Sequence, residues 1–324
     1  MIQETRWSFK KETSREAFYT EMVCSGRPRA EWARGKPMTV TPKRIDLLGS
    51  YLHYLEAGKG DPIVFLHGNP TSSYLWRKVI PRLESQARCL ALDLIGMGRS
   101  GKPAIEYRFF DHRRYLDAFS DTLQLKRVTF VLHDWGTALG FDWARRHPER
   151  VVAIAFMEAL LREMNWSDFP ENARAMFQSF RTPGVGEKLI LDDNVFIEQL
   201  LPGAILRKLK DEEMNAYREP FLKREDRKPV WRWPQELPIE GEPADVVEAV
   251  RANAAYLSSS EVPKLLLTFE PGAIMRPELV EWCRANLKNL EIHPAGKGLH
   301  FVQEDEPDTI GRAIAEWRSR VLAS

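Results

Sequence analysis

Apolar residues gather along this chain in short runs, several of them unbroken, at Tyr51–Glu56, Pro62–Leu66, Arg88–Asp93, Arg127–His133, Val151–Met157, Lys264–Phe269 and Leu290–His293. A strand covered on both faces has no solvent side, so unbroken β-rich runs predict parallel strands buried inside a sheet. Between them, helical patterns occupy Asp111–Leu123, Thr137–Arg146, Pro277–Asn286 and Pro307–Val321. Strands alternating with helices imply a doubly wound α/β sheet with right-handed crossovers. In that architecture reactive groups sit on loops at the carboxyl ends of the strands.

The alternation fails between about Leu161 and Val247. That stretch lacks a convincing strand, is interrupted at Pro170, Pro183–Gly184, Pro202–Gly203, Pro234 and Pro238, and is rich in aromatics. It predicts a helical insert at 162–247, placed to cover a strand-end site, within a core formed by 38–161 and 248–324. Residues 1–37 stand apart, with eight basic and five acidic residues and no strand-like run; Glu12–Met22 fits one amphipathic helix. The five glutamates argue against a mitochondrial presequence, and MIQETRWSFKKETSREAF lacks the apolar stretch of a secretory signal. An N-terminal arm is therefore expected.

Composition narrows the class. The 324 residues suffice for one large domain or a core with an insert, and 44% hydrophobic with 29% charged residues is ordinary for a packed globule. A net charge of +1 provides no global field for nucleic acid or an anionic membrane. The longest apolar run, Val151–Met157, is far too short for a membrane span. Cys24, Cys89 and Cys283 are too few and too scattered for a disulfide framework or a zinc site, so no metal is expected and the thiols fit a reducing compartment. The expectation is a cytoplasmic enzyme-sized protein, with self-association into a homo-oligomer left open.

The most informative stretch is VTFVLHDWGTALGFDWARR, Val128–Arg146, where an apolar strand ends at His133-Asp134-Trp135-Gly136 and a helix follows at once. This is the strand–turn–helix setting of a nucleophile elbow, with Asp134 at the nucleophile position and Gly136 small enough for close helix–strand packing. The helix N-terminus would favour negative charge there. The plainer reading of Asp134 is a helix N-cap. As a nucleophile, a carboxylate is already ionised at neutral pH; the ester it forms must then be broken by water, which calls for a base poised near neutrality. Histidine fits. His300 follows a glycine-rich loop after the last strand, in the order nucleophile, acid, histidine of the α/β hydrolases, whereas His112, His133, His147 and His293 occupy no comparable loop. Two acids could orient it: Glu158, ending VVAIAFME, and Glu270, ending KLLLTFE. A carboxylate at the end of a buried strand needs hydrogen-bond partners, and spacing alone does not separate the two.

From about Ile45 onward the chain resembles the haloalkane dehalogenases of the α/β-hydrolase superfamily, relatives of the coelenterazine luciferases. The segments that carry the resemblance include FLHGNPTSSYLWR, DLIGMGRSGKP, YRFFDHRRYLDAF, HDWGTALGF, FMEAL, YREPF, ELPIEGEPADV and GLHFVQED, in order along about 85% of the chain. The resemblance implies an α/β-hydrolase fold, a mostly parallel doubly wound sheet with a helical cap inserted after the sixth strand. It assigns the nucleophile to Asp134, the base to His300 and the acid to Glu158, since in this branch the acid follows the strand before the cap. It gives Asn69 and Trp135 halide-binding side chains and oxyanion-hole backbone N–H groups. Phe177, Phe196 and Ile274 match wall positions of the substrate pocket; Phe180, Trp231 and Trp233 are left as packing. The implied reaction converts a small halogenated alkane and water to alcohol, halide and a proton through an Asp134 ester, with no cofactor. Three other readings share the fold. An epoxide hydrolase would need two cap tyrosines, where the insert has Tyr217 alone, and tends to carry an aromatic at the position of Asn69. A luciferase would differ in pocket shape and cap dynamics. A non-catalytic ligand receptor would not need Asp134, Glu158 and His300 together.

Overall fold

The computed structural model describes residues 40–323. The expected arm at 1–37, its helix at Glu12–Met22 and Cys24 lie outside the described residues. Among the described residues, eight strands form one sheet: β1 (Thr41–Leu47), β2 (Ser50–Ala57), β3 (Pro62–Leu66), β4 (Arg88–Leu92), β5 (Val128–Asp134), β6 (Val151–Ala159), β7 (Lys264–Pro271) and β8 (Leu290–Gly298), in the spatial order β1-β2-β4-β3-β5-β6-β7-β8. β3 to β8 are parallel, while β2 runs antiparallel to both β1 and β4. All seven expected strands are present. β1 is additional: its sequence, TPKRIDL, is mostly exposed, as an edge strand with one neighbour can be.

Among the described residues, the α-helices of eight residues or more are α1 (Phe109–Thr122), α2 (Trp135–Arg146), α3 (Glu171–Arg181), α4 (Asp211–Arg218), α5 (Lys228–Glu236), α6 (Ala244–Ser259), α7 (Pro277–Asn286) and α8 (Pro307–Ala323). Every residue of β5 is buried, because alternate side chains feed two layers. Phe130 meets Trp143 of α2, and Gly140 of α2 comes close over Leu132; Val131 points into the other layer, with Ile310, Ile314 and Trp317 of α8. Asn253 of α6 donates to the Ala138 carbonyl of α2 at 3.0 Å, so α6 belongs with the core layer. The boundary expected at 247 therefore falls within the first turn of α6.

The insert follows β6, the sixth strand. Between β6 and α6 run α3, α4 and α5, with two π-helical stretches at Lys188–Asp192 and Phe196–Leu200. Met164 and Ile239 bridge its two ends into a neck. Glu236, at the end of α5, is buried and accepts the Phe109 N–H and Arg108 Nε, both at 3.0 Å, supplying an acceptor to a buried N–H of the α1 N-terminus that has no partner within the helix. Cys89 and Cys283 are buried free thiols whose pKa burial pushes up to about 12. Among the described residues, no helix is long and apolar enough to cross a membrane.

Candidate active site

Asp134 is the last residue of β5, and its φ of 49° with ψ of −129° turns the chain sharply into α2. A non-glycine residue holds such a conformation only when its surroundings over-determine it. Here they do. A Cβ on Gly136 would stand 2.3 Å from the Leu66 carbonyl oxygen, so the start of α2 touches the end of β3 as only glycine permits. Thr137 Oγ1 donates to the Asp134 carbonyl at 2.5 Å and accepts the Leu160 N–H at 2.9 Å, tying the turn to the end of β6.

The Asp134 side chain makes no capping bond on α2, which removes the plainer reading of this residue. Its Oδ2 accepts the Asn69 N–H at 2.8 Å, and the nearby Trp135 N–H also favours its charged form. Burial raises the Asp134 pKa above its ordinary value, against the opposing pull of His300 and these two N–H groups. The carboxylate thus sits desolvated under two backbone donors.

His300 brings Nδ1 to 3.4 Å from Glu158 Oε2 and Nε2 to 3.9 Å from Asp134 Oδ1. The longer distance exceeds a hydrogen bond, so Nε2 faces Asp134 without being bonded to it. Burial pulls the His300 pKa down, but the Glu158 bond and the charges of Asp134 and Glu158 outweigh it, and the net shift is upward. Glu158 is fully buried, at a φ of 44°, and its Oε2 also accepts the N–H groups of Ala273 and Ile274 at 3.1 and 2.7 Å. Glu270 is exposed. Of the two acids that spacing left open, Glu158 is the one against the imidazole.

Asn69 and Trp135 both adjoin Asp134, the first through its N–H and the second as the next residue in the chain. Asn69 Nδ2 donates one N–H to the Val230 carbonyl of α5 at 3.1 Å. An amide nitrogen carries two. The Trp135 indole is 2% exposed and lies nearly parallel to Trp233 of α5, centroids 4.4 Å apart, while His112 stacks on the same Trp233 ring at 4.2 Å. Burial pushes the His112 pKa down to about 3, so this layer of rings is uncharged at neutral pH. Among the described residues, His147 and His293 are on the surface or half-buried and make no contact with Asp134.

With that geometry in place, comparison with known proteins is informative. The alpha/beta hydrolase fold family matches residues 61–237, from β3 through the insert. A haloalkane dehalogenase from Mesorhizobium japonicum is 50% identical over 89% of this chain and 94% of its own length, and one from Sphingobium indicum is 52% identical over 86% and 95%. This chain belongs to the haloalkane dehalogenases. The crystal structure of the haloalkane dehalogenase DbeA from Bradyrhizobium elkani superposes with a TM-score of 0.86 at 47% identity, covering 88% of this dehalogenase and 99% of that chain. DatA from Agrobacterium tumefaciens gives 0.84 at 42% identity, covering 87% and 97%.

The expected pocket residues of the dehalogenase fall in two places. Ile274 is half-buried and adjoins Glu158 through its N–H. Phe177 and Phe196 sit in an aromatic group within the insert, 5.6 and 5.3 Å from Phe180, with Phe169 beside Phe177. Three contributors were not legible in the sequence. Trp233 lies on the Trp135 indole. His133 Nε2 donates to the His300 carbonyl at 2.8 Å from a fully buried ring whose pKa burial holds well below the ordinary value. Thr137 pins the elbow. Trp233 and His133 act through contacts distant in sequence, and Thr137 joins a local bond to Asp134 with a distant one to Leu160.

Proposed function

We propose that this enzyme hydrolyses carbon–halogen bonds of small halogenated alkanes through a covalent ester on Asp134. Asp134 Oδ1 attacks the carbon from the side opposite the halogen; the new C–O bond forms as the carbon–halogen bond breaks, and the halide leaves with the electron pair. The Trp135 indole N–H and the second Asn69 Nδ2 N–H are the donors we assign to it. Neutral donors aimed where charge develops lower the barrier, and a dry pocket strengthens them. His300, oriented by Glu158, then takes a proton from water, which attacks the ester carbonyl of Asp134. The oxyanion formed there lies under the N–H groups of Asn69 and Trp135. Collapse releases the alcohol and regenerates the carboxylate, and the proton left on His300 passes to solvent, so that one water is consumed and alcohol, halide and a proton are formed.

The observation that carries this reading is the arrangement of His300 between Glu158 and a desolvated Asp134. It also gives the second step a sense of timing. Alkylation removes one of the two negative charges that hold a proton on His300, so the imidazole becomes neutral more readily once a base is needed. The residues between β6 and α6 serve, on this reading, as the cap. Tyr217, the single tyrosine of the insert, donates its hydroxyl to Glu304 Oε1 at 2.5 Å, which disfavours epoxide opening.

Halide release from a panel of brominated and chlorinated C2–C6 alkanes, with Asp134→Asn alongside, tests the reaction and the nucleophile together. Release that vanishes in the variant is expected. A folded protein that releases no halide from any member would overturn the proposal.

A further inference from the structure

Four residues beyond His300 in sequence lies the centre of a charged cluster, none of whose side chains takes a chemical part in the two steps above. Glu304, four residues beyond His300, has a fully buried side chain. It accepts Arg77 Nη1 at 2.5 Å and Nη2 at 2.9 Å, the Tyr217 hydroxyl at 2.5 Å, Lys78 Nζ at 3.5 Å, and Arg207 Nη2. Glu213 shares the cations, at 3.0 Å from Arg77, 2.8 Å from Lys78 and 2.6 Å from Arg207. The Arg77 guanidinium rests on the Tyr74 ring at 3.8 Å, and Tyr74 meets Tyr217 edge to face. Arg77, Lys78 and Tyr74 come from the chain after β3; Arg207, Glu213 and Tyr217 come from the insert.

The neighbouring backbone is fastened in register. The Ala204 carbonyl accepts the N–H groups of His300 and Phe301 at 3.1 and 3.2 Å, and the Asp305 carboxylate accepts those of Leu206 and Arg207 at 3.0 and 2.9 Å. Residues 204–207 of the insert are thus zipped to 300–305, and Glu304 with Arg207 is the ionic clasp of that zipper. By contrast, the His300 imidazole has one long bond, 3.4 Å to Glu158. The ring packs on those of His133 and Phe301, each 4.7 Å away between centroids, and the backbone that carries it is held by Ala204 and His133.

A buried ion cluster is weak evidence for stability, because apolar side chains of similar volume often serve as well. Satisfied buried polar networks do fix one arrangement. Resting on the reading of Asp134 and His300 above, we infer that Glu304 is a positioning residue: by clasping Arg207 and Tyr217 it holds the His300 loop so that the imidazole serves the second step. The first step uses Asp134, Trp135 and Asn69, none of which is on that loop. Loosening the clasp therefore slows ester hydrolysis and leaves alkylation intact. A merely structural role would not divide the two steps.

The test follows the reaction of Glu304→Gln and Tyr217→Phe with 1-bromobutane by rapid quench and intact-protein mass, with wild type and His300→Phe in parallel. The expected result is an unchanged bromide burst, a later turnover rate about tenfold lower in Glu304→Gln and lowered less in Tyr217→Phe, and an accumulating butyl adduct on Asp134; displacements near 1 Å in a catalytic group cost up to about 10²-fold. Unchanged turnover in folded Tyr217→Phe and Glu304→Gln, or a loss confined to the burst, would overturn the inference. If Glu304→Gln does not fold, Tyr217→Phe decides by the same two rates. An absent adduct in His300→Phe would instead sink the underlying reading.

Discussion

Gly68 immediately precedes Asn69 in the turn after β3, and a Cβ placed on it would stand 2.1 Å from Asp134 Oδ2, 2.5 Å from its Cβ and 2.6 Å from its Cγ. Ordinary van der Waals contact begins near 3.4 Å, so Gly68→Ala requires a separation of about 1 Å between loop and nucleophile. Rotating the carboxylate does not suffice, because the Asp134 Cβ is itself too close. Nor can the turn easily retreat, since Gly136 already touches the end of β3. The carboxylate or the Asn69 N–H must leave its place. A misplacement of about 1 Å at a reacting group costs about 10²-fold, equivalent to about 2.7 kcal/mol of barrier. Overpacking of this kind also lowers stability by about 1–3 kcal/mol. The assay is bromide release under single-turnover conditions, with thermal melting to confirm folding. Gly203→Ala is the control: nothing lies within 4 Å of that position, and its rate should match wild type. A Gly68→Ala enzyme within twofold of wild type, with an unchanged melt, would refute the steric argument.

Other expectations follow from the same geometry. Glu158→Gln should lower the hydrolysis of the ester by about 10²-fold or more, while Glu270→Gln, at an exposed position, should leave turnover intact; equal losses would reverse the acid assignment. Glu158, which keeps its charge after alkylation, pulls the His300 pKa upward, and the imidazole must be neutral to act, so ester hydrolysis should rise with pH as that proton is lost. In Glu158→Gln the midpoint of this rise, measured on pre-formed alkyl-enzyme, should move to lower pH; a move upward would contradict the account. The same upward shift stabilises the fold below about pH 6.5, a contribution lost as pH rises through the folded value. Thr137→Val strips the Asp134 carbonyl and the Leu160 N–H of their partner, so the denaturation midpoint should fall by an amount equivalent to about 1–3 kcal/mol; an unchanged midpoint would show that water or a backbone shift satisfies both groups.

The parallel sheet was legible because burial on both faces leaves apolar runs such as PIVFL and VTFVL in the sequence. β1 escaped notice for the converse reason: its edge position lets most of TPKRIDL stay polar. α6 was also missed. Its buried Val246, Val247, Val250 and Leu257 are spaced for a helix, but the alanines around them blur the contrast between faces. Asp134 and His300 were readable because a strand–turn–helix and a loop after the last strand are local features. Spacing alone does not choose between Glu158 and Glu270, since both end buried strands; the family resemblance points to Glu158, and the fold places that residue against His300. Trp233, His133 and Glu304 lie further out of reach, each acting through a partner tens to hundreds of residues away.

The central claim is that water attacks the Asp134 carbonyl and never the alkyl carbon. One turnover of 1-bromobutane in water enriched in oxygen-18, with enzyme in excess, tests it. The account predicts an unlabelled first-turnover alcohol, because its oxygen comes from the Asp134 carboxylate, and one heavy oxygen in the peptide that contains Asp134. Label in the first-turnover alcohol, with none in that peptide, would contradict it.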